Sequence, residues 1–130
     1  MKHLEPKAAS AYLQAHPGAL FVDVRMEVEY LYVGHPPGVV HIAWYEYPEL
    51  RADPQRFAAQ VLREAGDPLR PVVLLCRSGK RTVHAGAALE AAGFTEVVNV
   101  LHGFEGELDE HFQRGRLNGW RHDELPWEQM

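Results

Sequence analysis

The sequence predicts a single α/β domain with a largely parallel central sheet, and three observations point there. Short apolar runs alternate with longer segments of helical character along the whole chain. Turns rich in glycine and proline separate them closely, which leaves little irregular connection. The length of 130 residues suits one domain burying roughly two thirds of the surface its unfolded form exposes. Strands that alternate with helices build crossover units, and those units place their strands side by side in parallel.

Glu5-Pro6-Lys7 places a proline where a first helical turn tolerates it, and residues 8–16 read as a short helix ended by Pro17-Gly18. Leu20-Phe21-Val22-Asp23-Val24 is an apolar run of buried-strand type. Gly34-His35-Pro36-Pro37-Gly38 is a turn, and residues 39–44 read as the next strand. Asp53-Pro54 joins a good N-cap to a proline at the first helical position. Phe57, Val61 and Leu62 then share a face until Gly66-Asp67-Pro68 ends that helix. Val72-Val73-Leu74-Leu75 is a further buried strand, and residues 83–92 form a helix of small side chains closed by Gly93 in a left-handed cap. Residues 96–101 read as a strand and residues 105–113 as a terminal helix. The tail from Gly115 to Met130 is polar but carries Trp120, Leu125, Pro126 and Trp127. Such a tail suggests an arm packed on the domain or on a second subunit.

Composition narrows the function. A net charge of -5 argues against nucleic acid as a general partner, because phosphate binding is driven by Lys and Arg. No apolar stretch approaches the roughly 20 residues that span a bilayer. Met1-Lys2-His3-Leu4-Glu5-Pro6 also lacks the apolar region of a signal peptide, so a cytoplasmic location is expected. One cysteine forms neither an internal disulfide nor a C-x-x-C redox pair. The eight histidines show no ligand spacing, so neither a metal nor a cofactor is expected.

The chemistry gathers at that cysteine. Cys76-Arg77-Ser78-Gly79-Lys80-Arg81-Thr82 joins the end of a buried strand to the start of a helix. Arg77, Lys80 and Arg81 favour the thiolate, the nucleophilic form of cysteine. Backbone N–H groups in a tight loop entering a helix point inward as an anion-binding nest, and the helix dipole adds positive charge there. Gly79 permits a turn that a side chain would hinder, and Thr82 is suited to cap the helix.

This loop resembles the active-site loop of rhodaneses, which commonly reads C-R-x-G-x-R-[ST]. The resemblance extends to Asp23-Val24-Arg25 with Glu29, to Gly34-His35 through Gly38 and Ile42, and to Leu89, Gly93-Phe94, Val97, Leu101 and Gly103. It covers roughly residues 20–108 in the family's usual order. Two places depart from it: Pro36-Pro37-Gly38-Val39 stands where the family has one proline and an alanine, and Phe104 replaces a second glycine. The resemblance implies a five-stranded parallel sheet with helices on both faces. It also implies a persulfide mechanism with Cys76 catalytic and Arg77, Ser78, Gly79, Lys80, Arg81 and Thr82 holding the donor. Thiosulfate would give its outer sulfur to Cys76, and a thiol or cyanide would collect it. With no second cysteine, the acceptor must come from outside the chain. The family includes thiosulfate-, 3-mercaptopyruvate- and protein-persulfide-using members, and Arg77 is similar to the thiosulfate-using loops. Monomer and homodimer both fit.

Neighbouring residues read as structural. Asp23 and Arg25 form a strand-end ion pair, and His35 is a hydrogen-bonded turn residue. Arg81 is expected to point into the loop, while Lys80 fits outside it equally well. Phe104, Trp44 and Tyr45 are candidates for the pocket rim, with core packing the alternative. Among competing functions, phosphatases of the cell-cycle type share a similar fold but place five residues between cysteine and arginine. Here four stand between Cys76 and Arg81, a smaller cradle. A non-catalytic or persulfide-carrier module, and a thiol oxidation sensor, are the other readings.

Overall fold

The computed structural model describes all of residues 1–130. In chain order its elements are β1 (Lys2–Leu4), α1 (Pro6–Ala15), β2 (Leu20–Asp23), a π-helical turn (Glu29–Val33), β3 (Val40–His41), α2 (Pro54–Ala65), β4 (Val72–Leu75), α3 (Arg81–Ala91) and β5 (Val97–Val100). The five strands form one sheet in the order β1-β5-β4-β2-β3, and every pairing is parallel. The sheet is parallel as the sequence predicts, and its five strands are the number that the rhodanese resemblance implied.

The alternation of side chains along β4 divides the core. Val72, Leu74 and Cys76 face α2 and α3, packing with Phe57, Val61, Ala85 and Leu89. Val73 and Leu75 face the other way, toward Ala9 of α1, Phe104 and Trp120. Both faces are covered, so β2, β4 and β5 are buried along their full lengths. α2 begins as its sequence dictates: the Asp53 carboxylate accepts from the Arg56 N–H at 3.1 Å, and Pro54 occupies the first helical turn. Gly66 then ends it in the left-handed region at φ 77°.

Three expectations need correction. Residues 39–44 contribute only Val40–His41 to the sheet, because Ile42 and Trp44 turn into the core on irregular backbone. A three-residue edge strand, β1, pairs with β5 where no strand was expected. Residues 105–113 form turns instead of a helix. The Glu105 and Gly106 N–H groups bind the Arg77 carbonyl at 3.0 and 3.2 Å, so the segment buttresses the cysteine loop.

The tail is an arm seated on its own chain. Trp120 is buried beside Phe21, with its indole N–H on the Pro126 carbonyl at 2.8 Å. Trp127 meets Phe104 edge-on at 6.2 Å and covers Gly34. Glu128 pairs with His35 as an isolated antiparallel bridge.

Candidate active site

Cys76 stands just beyond the carboxyl end of β4, where open parallel sheets place their ligands. It is 1% exposed, lying beneath the loop and not on it. The chain turns at Gly79, whose φ of +91° favours glycine, and a Cβ there would stand 3.0 Å from the His102 nitrogen. That turn directs the Gly79 N–H at the Cys76 sulfur, 3.1 Å away. The helix α3 starts two residues later, with no side chain capping its N-terminus.

The loop is held from behind. The Phe104 N–H donates to the Cys76 carbonyl at 2.8 Å, and a Cβ on Gly103 would collide with that oxygen. Phe104 itself is fully buried, so the residue replacing the family's second glycine lies in the core and not on a rim. Trp44 is buried against Phe57, and the half-buried Tyr45 ring lies 5.6 Å from the Arg81 guanidinium.

The remaining loop residues separate into two groups. Arg77 and Lys80 are exposed and take part in no ion pair, and Ser78 is half-buried between them. Arg81 closes its fork on Glu29, its Nη1 and Nη2 donating to the two carboxylate oxygens at 2.8 and 2.9 Å. Burial works against charge on both partners, but their mutual hydrogen bonds and attraction prevail. The Glu29 carboxyl is held below its ordinary range, and Arg81, also facing Cys76 and Tyr45, above its own.

Thr82 is not the helix cap that its sequence position suggested. It lies inside the first turn of α3, fully buried, and its hydroxyl donates to Asn99 Oδ1 at 2.5 Å. Its oxygen is 3.5 Å from the Cys76 sulfur. Asn99 in turn meets His3 Nδ1 at 3.1 Å through Nδ2. Sequence reasoning assigned no role to Asn99 or His3. One signal was present, since Asn99 is the polar residue in the otherwise apolar run Val97-Val98-Asn99-Val100.

Asp23 and Arg25 pair at 2.6 Å with neither side chain exposed, and Arg25 also holds the Gly34 carbonyl. His35 meets the Tyr30 carbonyl through Nδ1 at 2.8 Å. No three His, Cys, Asp or Glu side chains converge in a metal-binding arrangement. Two open clefts lie away from the loop, one of about 760 Å³ between the segment after β3 and α2, one of about 540 Å³ between α1 and the arm. Neither is lined by Cys76 or any other residue of its loop. No helix is long and apolar enough to cross a membrane.

Comparison with known proteins gives the same fold. The crystal structure of Rv0390 from M. tuberculosis is 37% identical with a TM-score of 0.85, covering 100% of this chain and 98% of that one. The polysulfide-sulfur transferase homodimer from Wolinella succinogenes is 25% identical with a TM-score of 0.65, covering 100% and 80%. An uncharacterized protein of Rickettsia conorii is 29% identical over 122 residues, 89% of this chain and 88% of that protein. The Rhodanese-like domain profile matches residues 5–110, from the helix after β1 through the buttress behind the cysteine loop. A parallel five-stranded sheet, a cysteine loop at the end of β4 and this match together establish that the chain belongs to the rhodanese-like domain family.

Proposed function

We propose that this protein is a sulfurtransferase in which Cys76 carries sulfane sulfur from a small anionic donor, thiosulfate foremost, to a thiol or cyanide. The observation that carries the reading is the Gly79 N–H aimed at the Cys76 sulfur from within a turn that opens onto the start of α3. In the first half-reaction the Cys76 thiolate attacks the outer sulfur of thiosulfate. The sulfur–sulfur bond of the donor breaks, sulfite leaves with the bonding pair, and a Cys76 persulfide anion remains. In the second, cyanide or a thiolate attacks the outer persulfide sulfur and the Cys76 thiolate leaves. Thiocyanate or a new persulfide is the product.

Each loop residue has a part in this scheme. The backbone donors stabilise the anionic sulfur, and Arg77 and Lys80, free of ion pairs, offer charge to the donor and to departing sulfite. Ser78 and Gly79 supply the tight turn, Thr82 lies under the sulfur, and Arg81 braces the loop through Glu29. The near-complete burial of Cys76 supports a small donor entering the loop. The same arrangement speaks against phosphatase action, because the Arg81 fork is already closed on a carboxylate.

The test is release of thiocyanate after purified protein meets thiosulfate and then cyanide. Thiosulfate alone should add the mass of one sulfur atom to Cys76, and cyanide should remove it. Cys76→Ser should abolish transfer with an unchanged unfolding temperature, and transfer surviving in that variant would overturn the proposal.

A further inference from the structure

We infer that His3, acting through Asn99, fixes the direction of the Thr82 hydroxyl at the Cys76 sulfur and so sets which hydrogen bonds that sulfur receives. The inference rests on Cys76 being the nucleophile of the proposed reaction. The three residues come from distant parts of the chain and meet because the sheet register aligns them. Asn99 of β5 stands opposite His3 of β1 on one side and Leu74 of β4 on the other. Thr82 hangs over it from the first turn of α3.

The direction follows from counting protons. Asn99 Oδ1 only accepts, so the single hydroxyl proton of Thr82 lies on the 2.5 Å bond to it. Toward the Cys76 sulfur, 3.5 Å away, Thr82 therefore presents lone pairs. It accepts from a thiol S–H but donates nothing to a thiolate or a persulfide. The Gly79 N–H is then the donor on that sulfur.

Which end of the Asn99 amide faces Thr82 is decided at its other end. Nδ2 lies 3.1 Å from His3 Nδ1; the His3 tautomer that carries its proton on Nε2 leaves Nδ1 bare to accept from it and holds the amide this way round, whereas a proton on Nδ1 would hold it reversed. The neighbouring charges do not compete, since the Met1 ammonium binds Glu90 and Lys2 binds Glu96. Without His3 the buried amide is free to turn over and place Nδ2 on Thr82. The Thr82 hydroxyl then swings to the sulfur as a second donor. A thiolate so stabilised is a weaker nucleophile, as thiolates of lower basicity are in general. His3 is thus a positioning residue, exposed on the edge strand, that keeps the thiolate reactive from behind.

The sole cysteine makes the test direct, because alkylation of the full chain by iodoacetamide reads Cys76 alone. Rates are compared on the high-pH plateau, where all of the thiol is ionised and only nucleophilicity differs. His3→Leu should lower the plateau rate about three- to ten-fold, the effect of one modest hydrogen bond. His3→Gln, whose side-chain oxygen also accepts, should stay within about two-fold of the parent. In a Thr82→Val background His3→Leu should change nothing, with Thr82→Ala as the substitute host should valine disturb the helix. Equal slowing with and without the hydroxyl, or no slowing in either, would overturn the inference. The readout needs no sulfur donor: coupling without thiocyanate release would sink the proposed function alone, and release without coupling would sink this inference alone.

Discussion

Arg25 and Arg81 each close a fork on a carboxylate, but they hold different parts of the molecule. Arg25 binds Asp23, two residues away, and neither side chain is exposed. The pair fastens the end of β2 to the Gly34 turn, with the guanidinium 4.5 Å over the Phe104 ring. Arg81 binds Glu29, 52 positions away, with side chains 14% and 10% exposed. That pair ties the first residue of α3 to the π-helical turn, beside the cysteine loop. The first is sealed inside the scaffold, and the second braces the site from its margin. Identical chemistry therefore has unequal consequences, set by how far water is excluded from each pair.

The largest effect should come from the sealed pair. Asp23→Asn leaves Arg25 charged and fully buried without its counter-ion, which should cost about 3–5 kcal/mol of unfolding free energy. Natural domains have only about 5–15 kcal/mol in total, so a large share of stability goes with it. Urea unfolding measures the loss, and thiocyanate release per folded molecule should stay near the parent value. A loss under about 1 kcal/mol would show that the two pairs are equivalent after all.

Breaking the marginal pair should reverse that balance. Glu29→Gln keeps the shape but removes the charge facing Arg81, and its stability cost should be only about 1–2 kcal/mol, between buried and surface pairs. Transfer should fall more than stability does, because the freed guanidinium no longer anchors the start of α3 beside the Gly79 turn. Unfolding and sulfur-transfer rates measured on one preparation separate the two effects. Unimpaired transfer would mean that Gly79 and the buttress from residues 103–106 hold the loop by themselves.

These pairs also show where sequence reading succeeds and where it stops. Asp23 and Arg25 were legible because they sit together at the end of an apolar run. The runs themselves became β2, β4 and β5, since a strand covered on both faces must be apolar throughout. Glu29 was visible as a motif residue, but its partner lies across the fold, and no local pattern joins the two. The same holds for Thr82, whose hydroxyl had a local use as a cap and found Asn99 on a neighbouring strand instead. β1 escaped notice because its three residues are half-exposed or exposed, and only pairing with β5 makes them a strand. The terminal helix failed because the Asp109 N–H donates to the Gln113 carbonyl and the Gln113 N–H to the Asp109 carboxylate, bonds that take the place of a helical ladder. Local signals fix elements whose partners lie within the element. Tertiary hydrogen bonds decide the others.

The smallest effect is an acid dependence that the marginal pair alone should show. Burial pushes the Glu29 carboxyl up, while the hydrogen bonds and charge of Arg81, the Met26 N–H and the charge of Arg25 pull it down further. It therefore binds its proton less tightly in the folded chain than at the ordinary value of 4.5 in the unfolded one. The resulting stabilisation is complete above that value and is lost as pH falls through the depressed folded value. Arg81 stays charged throughout, so protonated Glu29 and the Glu29→Gln amide become nearly the same neutral partner. The gap in unfolding free energy between parent and Glu29→Gln should accordingly be constant from neutral pH down to mild acid and close below about pH 4.5. Other carboxylates titrate in both proteins and cancel in the difference. A gap that persists unchanged at the lowest pH where both still fold would assign the loss to packing of the amide, and the pair would then brace the loop by shape and not by charge.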